Sequence, residues 1–193
     1  MTDSKLCWLD IREAGDLAPA VLEEALHQRI DAVVAADMTM LADLPPTIRR
    51  VLLHDAGEPT DGFTGADLVL VAGGAEDRAK LAQAHPSIEF GRYVEITDAD
   101  SLETACLSAR TEQWSLLDFR DPTKIPLEIV LAAAAGCEGT IVTTAADVEE
   151  ARIVYGVLEL GSDGVLMPAR AEGDATALRQ AAGSTAGQIS LVE

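Results

Sequence analysis

Carboxylate and guanidinium groups crowd one short stretch of the chain, FRDPTKIPLE, together with the aspartate just before it. Asp118, Asp121 and Glu128 surround Arg120 in this stretch. Carboxylates grouped in this way could hold a divalent cation, or could serve as the acid and the base of a reaction. The alternative is that Arg120 pairs with a neighbouring carboxylate and that the group is structural.

Lys124 is unusual because the chain has only three lysines, the others being Lys5 and Lys80. It stands two residues before Pro126, a proline suited to the first turn of a helix. A lysine amine there could form a Schiff base or bind an anionic group of a substrate. The structural alternative is a solvated loop lysine.

Further polar residues follow short apolar runs, where a packing role would not require them. Asp10 and Arg12 follow the first run, and Arg170 follows the last. Thr143 and Thr144 close the seventh run, and with Arg170 they form a candidate phosphate site of a kind that barrels often have at this end. The run that ends in His54 and Asp55 and the run that ends in Glu95 also place polar residues at predicted strand ends. His54, taken by itself, is better explained as a structural residue.

The apolar runs that carry these residues predict eight strands separated by helical patterns or turns. The predicted strands are 5–11, 30–35, 50–54, 67–72, 91–96, 114–119, 140–144 and 164–167. The predicted helices are 19–29, a short piece at 38–44, and then 75–84, 98–110, 126–135, one that begins after Asp147 and ends before Gly161, and 175–182. Asp147 and Glu150 predict a capping box at the start of the sixth of these.

Strands that alternate with helices favour parallel pairing, because a parallel connection needs a crossover. The predicted fold is a single α/β domain over residues 1–193, a (β/α)8 TIM-like barrel with a degenerate first half that lacks its third helix. An open, doubly wound parallel sheet is the alternative. In both folds, ligands meet the carboxyl ends of the strands, where the polar residues above lie.

Composition excludes several classes of function. The net charge of −19 repels a phosphate backbone, so we expect no nucleic-acid partner. Apolar runs are too short for a membrane span, the first residues do not resemble a signal peptide, and three widely spaced cysteines predict reduced thiols. We therefore expect a cytoplasmic protein that does not bind a membrane.

Three blocks of sequence resemble the 3-dehydroquinate synthase II family. They are CWLDIR near the start, FRDPTKIPLE in the middle, and EEARIVYGVLELGSDGVLMPAR towards the end. The resemblance extends over essentially all 193 residues but matches only the amino-terminal half of such enzymes, which have two domains. The expected partner is a second copy of the chain, in a homodimer, or a second domain that this sequence lacks.

The resemblance implies a cyclase that closes an open-chain, anionic C7 amino-keto substrate into a six-membered carbocycle. One branch makes 3-dehydroquinate by oxidative deamination with NAD. The other keeps the amine, releases phosphate and makes 3-amino-4-hydroxybenzoate for secondary metabolism, and a divalent metal such as Mn²⁺ would suit it. The blocks CWLDIR and DPTKIPLE favour the second branch.

The resemblance and the strand-end argument together give a set of candidate site residues. The predicted catalytic residues are Asp10, Asp118, Lys124 and Glu128. The predicted substrate or phosphate ligands are Arg12, Arg120, Thr143, Thr144 and Arg170, and the predicted metal ligands are Asp118, Asp121 and Glu128. Two alternatives stay open: a Schiff-base aldolase of a ketose phosphate that uses Lys124, and a non-catalytic module that binds a phosphate ligand or pairs with another subunit.

Overall fold

We analysed a computed structural model of the chain, which describes residues 5–55, 57–120, 125–157 and 161–186. Its strands are β1 (Leu6–Asp10), β2 (Ala32–Ala35), β3 (Arg49–Asp55), β4 (Leu68–Ala72), β5 (Glu89–Ile96), β6 (Trp114–Phe119), β7 (Thr140–Thr144) and β8 (Gly164–Pro168). Its α-helices are α1 (Ala18–His27), α2 (Ala75–Ala84), α3 (Ala99–Thr111), α4 (Ile125–Ala133), α5 (Val148–Gly156) and α6 (Asp174–Ala186). Every predicted strand is present, with ends displaced by two residues or fewer.

The eight strands form a closed parallel barrel in sequence order. Each strand pairs with the next, and β1 also pairs with β8 from Leu6 opposite Gly164 to Asp10 opposite Pro168. An open sheet would leave β1 without that partner. The prediction of a (β/α)8 barrel is therefore confirmed over the open alternative.

The first half of the barrel is degenerate, as predicted. A 3-10 helix at Met38–Leu41 follows β2, where a short helical piece was expected, and a second at Asp61–Phe63 follows β3. Gly57 and Gly65 flank the latter with φ of 94° and 93°, a left-handed conformation that interrupts a regular helix. In the described residues, short 3-10 helices thus take the place of full α-helices after β2 and β3.

Aliphatic and aromatic side chains fill the interior of the barrel. Val51, Leu70, Leu116 and Val142 belong to one buried cluster there. Trp8 belongs to it too, and its ring lies 5.6 Å from that of Trp114 near the amino-terminal ends of the strands. Side chains alternate along a strand, so a residue two positions beyond an interior residue faces the same space. By this rule, the last inward-facing residues of several strands lie at the carboxyl-terminal mouth of the barrel.

Helix α5 begins with the predicted cap, in a modified form. The Asp147 carboxylate accepts a hydrogen bond of 2.9 Å from the backbone N–H of Glu150, as a capping box requires. The Glu150 carboxylate accepts from the backbone N–H of Ala146 at 2.6 Å, one residue before the position that a capping box uses. The cap nevertheless fixes the loop that joins β7 to α5.

Two further predictions concern the cysteines and membrane-spanning helices. All three cysteines are free thiols, and Cys7 is buried. Within the described ranges, no helix combines the length and the apolar character that a membrane crossing requires.

Candidate active site at the carboxyl-terminal mouth

Asp118 lies at the centre of a hydrogen-bonded group at the mouth. It is two residues beyond the interior residue Leu116 on β6, so it faces the interior of the barrel. Its Oδ1 accepts a hydrogen bond of 2.7 Å from Thr144 on β7, and its Oδ2 accepts one of 3.2 Å from Tyr93 on β5. Three neighbouring strands thereby orient one partly exposed carboxylate.

Asp10 and Arg12 form a second group, at the end of β1. The Arg12 side chain donates from Nε to Asp10 Oδ1 at 3.0 Å and from Nη2 to Oδ2 at 2.7 Å. This bidentate pair raises the pKa of Arg12 above its usual value, against the effect of partial burial. Arg12 therefore remains a cation at the mouth at any pH in which the protein works.

Members of both groups line the same cavity, which has a volume of about 290 Å³. The predicted site residues Asp10, Arg12, Asp118, Thr144 and Arg170 all lie in its wall. They come from the ends of four strands that are far apart in the sequence, and closure of the barrel brings them together. This part of the predicted constellation is assembled in the structure, while the roles of its members remain predictions.

Arg170 is held in place by backbone contacts. It follows β8 in the loop before α6, and its Nη1 donates to the carbonyl of Ala146 at 3.1 Å. Its own backbone N–H donates to the carboxylate of Asp174, at the first residue of α6, at 2.7 Å. The guanidinium is exposed, so its remaining donors are accessible to an anion.

Arg120 pairs with a carboxylate, as the structural interpretation anticipated, but its partner comes from another strand. Its Nε lies 2.5 Å from Oε1 of Glu95 on β5, and the side chain is 67% exposed. The Glu95 carboxylate raises the pKa of Arg120. The pair lies at the rim, next to the Tyr93–Asp118 hydrogen bond.

The structure does not bring every predicted residue to the mouth. Thr143 is fully buried on the outer side of β7, where its hydroxyl lies 3.0 Å from that of Ser162, so it cannot contact a ligand at the mouth. The error has a simple origin, because two adjacent residues of a strand face opposite sides. Glu128 is exposed on α4 and is not in the wall of the cavity. Lys124 and Asp121 lie outside the described residues.

The predicted metal set of Asp118, Asp121 and Glu128 remains a prediction, because Asp121 lies outside the described residues. Within the described ranges, no group of three or more histidine, cysteine, aspartate or glutamate side chains could hold a metal ion. The sequence Gly73-Gly74 after β4 lacks the glycine spacing of a dinucleotide loop. We therefore derive no chemical step through a metal or through NAD.

Sequence reasoning missed Tyr93. Burial and the carboxylate of Asp118 raise the pKa of its phenol to about 12, so it remains a hydrogen-bond donor. The alternation Gly91, Tyr93, Glu95 along β5 places it on the inward face and could have revealed it.

His54 proves structural, because it is buried and its ring packs edge-on against Phe63 at 4.9 Å.

The fold and the mouth define a class of protein before any comparison is made. It is a closed (β/α)8 barrel with a fixed carboxylate, a neutral phenol and exposed guanidinium groups where such barrels bind their ligands. This set can accept and donate protons and can bind an anionic ligand.

Comparison with known proteins identifies the family. Residues 4–182 match the 3-dehydroquinate synthase II N-terminal domain, and the chain belongs to that family. It is 53% identical over 192 residues, or 98% of its length, to a 3-amino-4-hydroxybenzoic acid synthase of Streptomyces griseus. It is 34% identical over 122 residues, or 54% of its length, to a 3-dehydroquinate synthase of Methanopyrus kandleri.

These relatives are longer than the chain. The match covers 48% of the Streptomyces protein and 30% of the Methanopyrus protein, so the chain spans about half the length of the first of them. Among solved structures, a phosphoribosylanthranilate isomerase of Thermotoga maritima gives a TM-score of 0.69 at 14% identity, covering 93% of this chain and 99% of that one. This likeness shows the barrel fold alone.

Proposed function

We propose that the protein is a cyclase that makes 3-amino-4-hydroxybenzoate from an open-chain C7 amino-keto phosphate. One observation carries the proposal: 98% of the chain is 53% identical to a synthase of that name. Similarity to a 3-dehydroquinate synthase extends over only 54% of the chain, at 34% identity. Formation of 3-dehydroquinate is therefore the second candidate, and the identity difference ranks it lower.

Ring closure sets chemical demands that can be compared with the mouth. A base must take a proton from a carbon next to a carbonyl, and the resulting enolate carbon must bond to a second carbonyl carbon of the same chain. The oxygen of that second carbonyl then takes a proton and becomes a hydroxyl group. Aromatisation requires loss of phosphate, which leaves with the electron pair of its C–O bond, and loss of hydroxyl groups as water. Each of these steps needs an acid or a base held close to the substrate.

We assign the proton transfers to Asp118 with its hydroxyl partners. Hydrogen bonds from Tyr93 and Thr144 fix both carboxylate oxygens and so reduce the reorganisation that a proton transfer costs. Asp10 keeps Arg12 in place through the bidentate pair, and Arg12 and Arg170 then provide positive charge for an anionic part of the substrate. Two residues are proposed from the sequence rather than from the cavity. The Lys124 amine would polarise a carbonyl, and Glu128, which lies on α4 outside the wall of this cavity, would be a second acid.

The central experiment replaces Asp118 in the full-length protein. We expect Asp118→Asn to lower the rate of product formation at least about 100-fold, because an amide cannot accept the proton. Asp43→Asn, an exposed loop carboxylate, is the matched control and should retain the wild-type rate. The measurement is formation of the aromatic product by absorbance and mass. Product formation by Asp118→Asn at the rate of the control would refute the assignment.

Lys124 decides between cyclisation and the aldolase alternative. We expect Lys124→Ala and Glu128→Gln each to abolish ring formation and to leave the circular dichroism spectrum unchanged. Wild-type turnover in both variants would refute the cyclase assignment of these residues. Borohydride with a ketose phosphate tests the aldolase, because an adduct on Lys124 would demonstrate a Schiff base with that substrate.

The cofactor remains part of the proposal. Cyclisation with loss of phosphate and retention of the amine transfers no electrons to a carrier, so we propose that NAD is not required. We also propose, from the resemblance to that branch of the family, that a divalent cation such as Mn²⁺ is required. Chelator should abolish product formation and Mn²⁺ should restore it. Turnover that requires added NAD would instead support the 3-dehydroquinate branch.

The third alternative is a module that binds a phosphate ligand, or pairs with another subunit, without turnover. Sedimentation of the full-length protein tests the homodimer. Saturable binding of the amino-keto phosphate without any product in the presence of Mn²⁺ would favour the binding module over the cyclase.

A further inference from the structure

A second cavity opens on the other side of Tyr93. It has a volume of about 350 Å³ and lies at the ends of β3, β4 and β5, beside the amino-terminal half of α3. Tyr93 lies in its wall, and the hydroxyl of the same residue bonds to Asp118 in the wall of the first cavity. Tyr93 therefore lies between the two cavities.

Arg92 lines this second cavity and differs from the other arginines of the chain. Seven arginines pair with a carboxylate, and those without such a pair in the described ranges include Arg29, Arg110 and Arg170, all of which are exposed. Arg92 is half-buried, and among the described residues no carboxylate lies within ion-pair distance of it. The chain has 33 acidic and 14 basic residues, so carboxylates far outnumber the cations that could pair with them.

The surroundings of Arg92 increase the cost of its charge. Burial and the nearby guanidinium of Arg78 lower the pKa of Arg92. Glu112, the acidic residue that acts on Arg92 from α3, is already engaged by Nε and Nη2 of Arg78. A half-buried cation next to a second cation is unfavourable unless an anion is added.

The remaining wall of the cavity suits a polar ligand. Thr104 and Ser101 contribute hydroxyl groups from α3. Glu95 is neutralised by Arg120, and Asp55 is an exposed carboxylate at the rim. Asp55 would repel a bare anion but would suit a ligand that also carries an ammonium group, as an amino-keto acid does.

We infer that Arg92 and the hydroxyl of Thr104 form an anion subsite that binds one of the two anionic ends of the substrate, its phosphate or its carboxylate. This inference rests on the proposed function for the substrate class. Holding one end of a linear C7 substrate limits the conformations that the rest of the chain can adopt.

Titration calorimetry on the full-length protein tests the subsite without any turnover. The probes are phosphoethanolamine and β-alanine, which carry an ammonium group beside a phosphate and a carboxylate respectively. They are titrated separately into the wild type, Arg92→Gln, and the control Arg110→Gln on the exposed face of α3. We expect Arg92→Gln to weaken one probe about 10- to 100-fold, the loss of a charge-assisted hydrogen-bond pair, and the control to leave both unchanged. The affected probe identifies the anionic end that Arg92 binds.

Two conservative variants keep the test decisive if Arg92→Gln does not fold. Arg92→Lys retains the charge but not the bidentate geometry, and Thr104→Val removes only the hydroxyl, so both should weaken the same probe by about 3- to 10-fold. Unchanged affinities for both probes in these variants, or no binding of either probe to the wild type, would overturn the subsite. A wild type that binds a probe through Arg92 but makes no product would refute the proposed function and leave the subsite intact.

Discussion

The phenolic hydroxyl of Tyr93 donates a hydrogen bond to Oδ2 of Asp118 at 3.2 Å, from one strand to the next. The register of the β5–β6 pair places Tyr93 opposite Leu116 and Glu95 opposite Asp118. The phenol therefore reaches Asp118 diagonally, from the layer of side chains below it. A half-buried aromatic ring anchors the donor, and the partly exposed carboxylate faces the ligand space.

Tyr93→Phe removes that hydroxyl and keeps the ring. We expect kcat for product formation to fall about 10-fold with little change in KM, because Asp118 loses one of two groups that orient it. Tyr155→Phe is the matched control, since the Tyr155 hydroxyl donates to the carbonyl of Leu6 at 2.8 Å, remote from the mouth. It should lower the melting temperature and leave kcat unchanged. Equal kcat in Tyr93→Phe and wild type would contradict a positioning role for Tyr93.

Ionisation of Tyr93 gives a prediction at alkaline pH. Its pKa is raised to about 12 from the usual 10, so the folded protein retains a phenolic proton that the unfolded chain loses. The stabilisation is complete below pH 10 and disappears as the pH rises towards 12. A difference titration at 295 nm, wild type minus Tyr93→Phe, should place the tyrosinate transition near pH 12. In Asp118→Asn the transition should move to lower pH, though only in part, because burial is the largest cause. A midpoint near pH 10 in the wild type would disprove this environment.

Two ion pairs of different burial should contribute very differently to stability. Arg78, with 6% of its side chain exposed, pairs with Glu112 between α2 and α3, whereas Arg152 and Glu149 are exposed on α5. We expect Glu112→Ala to reduce the free energy of unfolding by about 3 kcal/mol, because it leaves a buried guanidinium unpaired. Glu149→Ala should cost less than about 0.5 kcal/mol. Urea denaturation measures both, and equal losses would contradict the interpretation.

Two glycine substitutions should have opposite signs. A Cβ on Gly91 would lie 2.6 Å from the Cβ of Trp114 and 2.8 Å from Leu70, inside the barrel. We expect Gly91→Ala to destabilise the protein by about 2–3 kcal/mol through overpacking. A Cβ on Gly183 in α6 meets nothing within 4 Å, so Gly183→Ala should stabilise the helix by about 0.5–1 kcal/mol. Thermal unfolding of both variants provides the comparison, and a Gly91→Ala protein as stable as wild type would show that the interior has room.

The strand pattern could be predicted from the sequence because hydrophobic periodicity is a local property. Runs such as Leu68–Ala72 and Trp114–Phe119 are apolar, short and bounded by turn residues, and both strands are present in the structure. Ends of strands in a parallel barrel meet at one rim, so Asp10, Asp118, Thr144 and Arg170 could also be proposed as neighbours. The candidate site thus followed from topology together with residue type.

The sequence by itself determined the alternation of strands and helices, the acidic charge and the residue types available at the strand ends. Only the tertiary structure decided which of them share a cavity, because the face of a strand on which a side chain lies depends on register and closure. Because of those two properties, Thr144 faces the mouth while Thr143 is buried on the outer side, and the Tyr93 hydroxyl bonds to Asp118. They also place Arg92 beside Arg78, where no carboxylate among the described residues lies within ion-pair distance of Arg92. Contacts between residues more than twenty positions apart depend on the free energy of packing the whole barrel, and no local pattern specifies them.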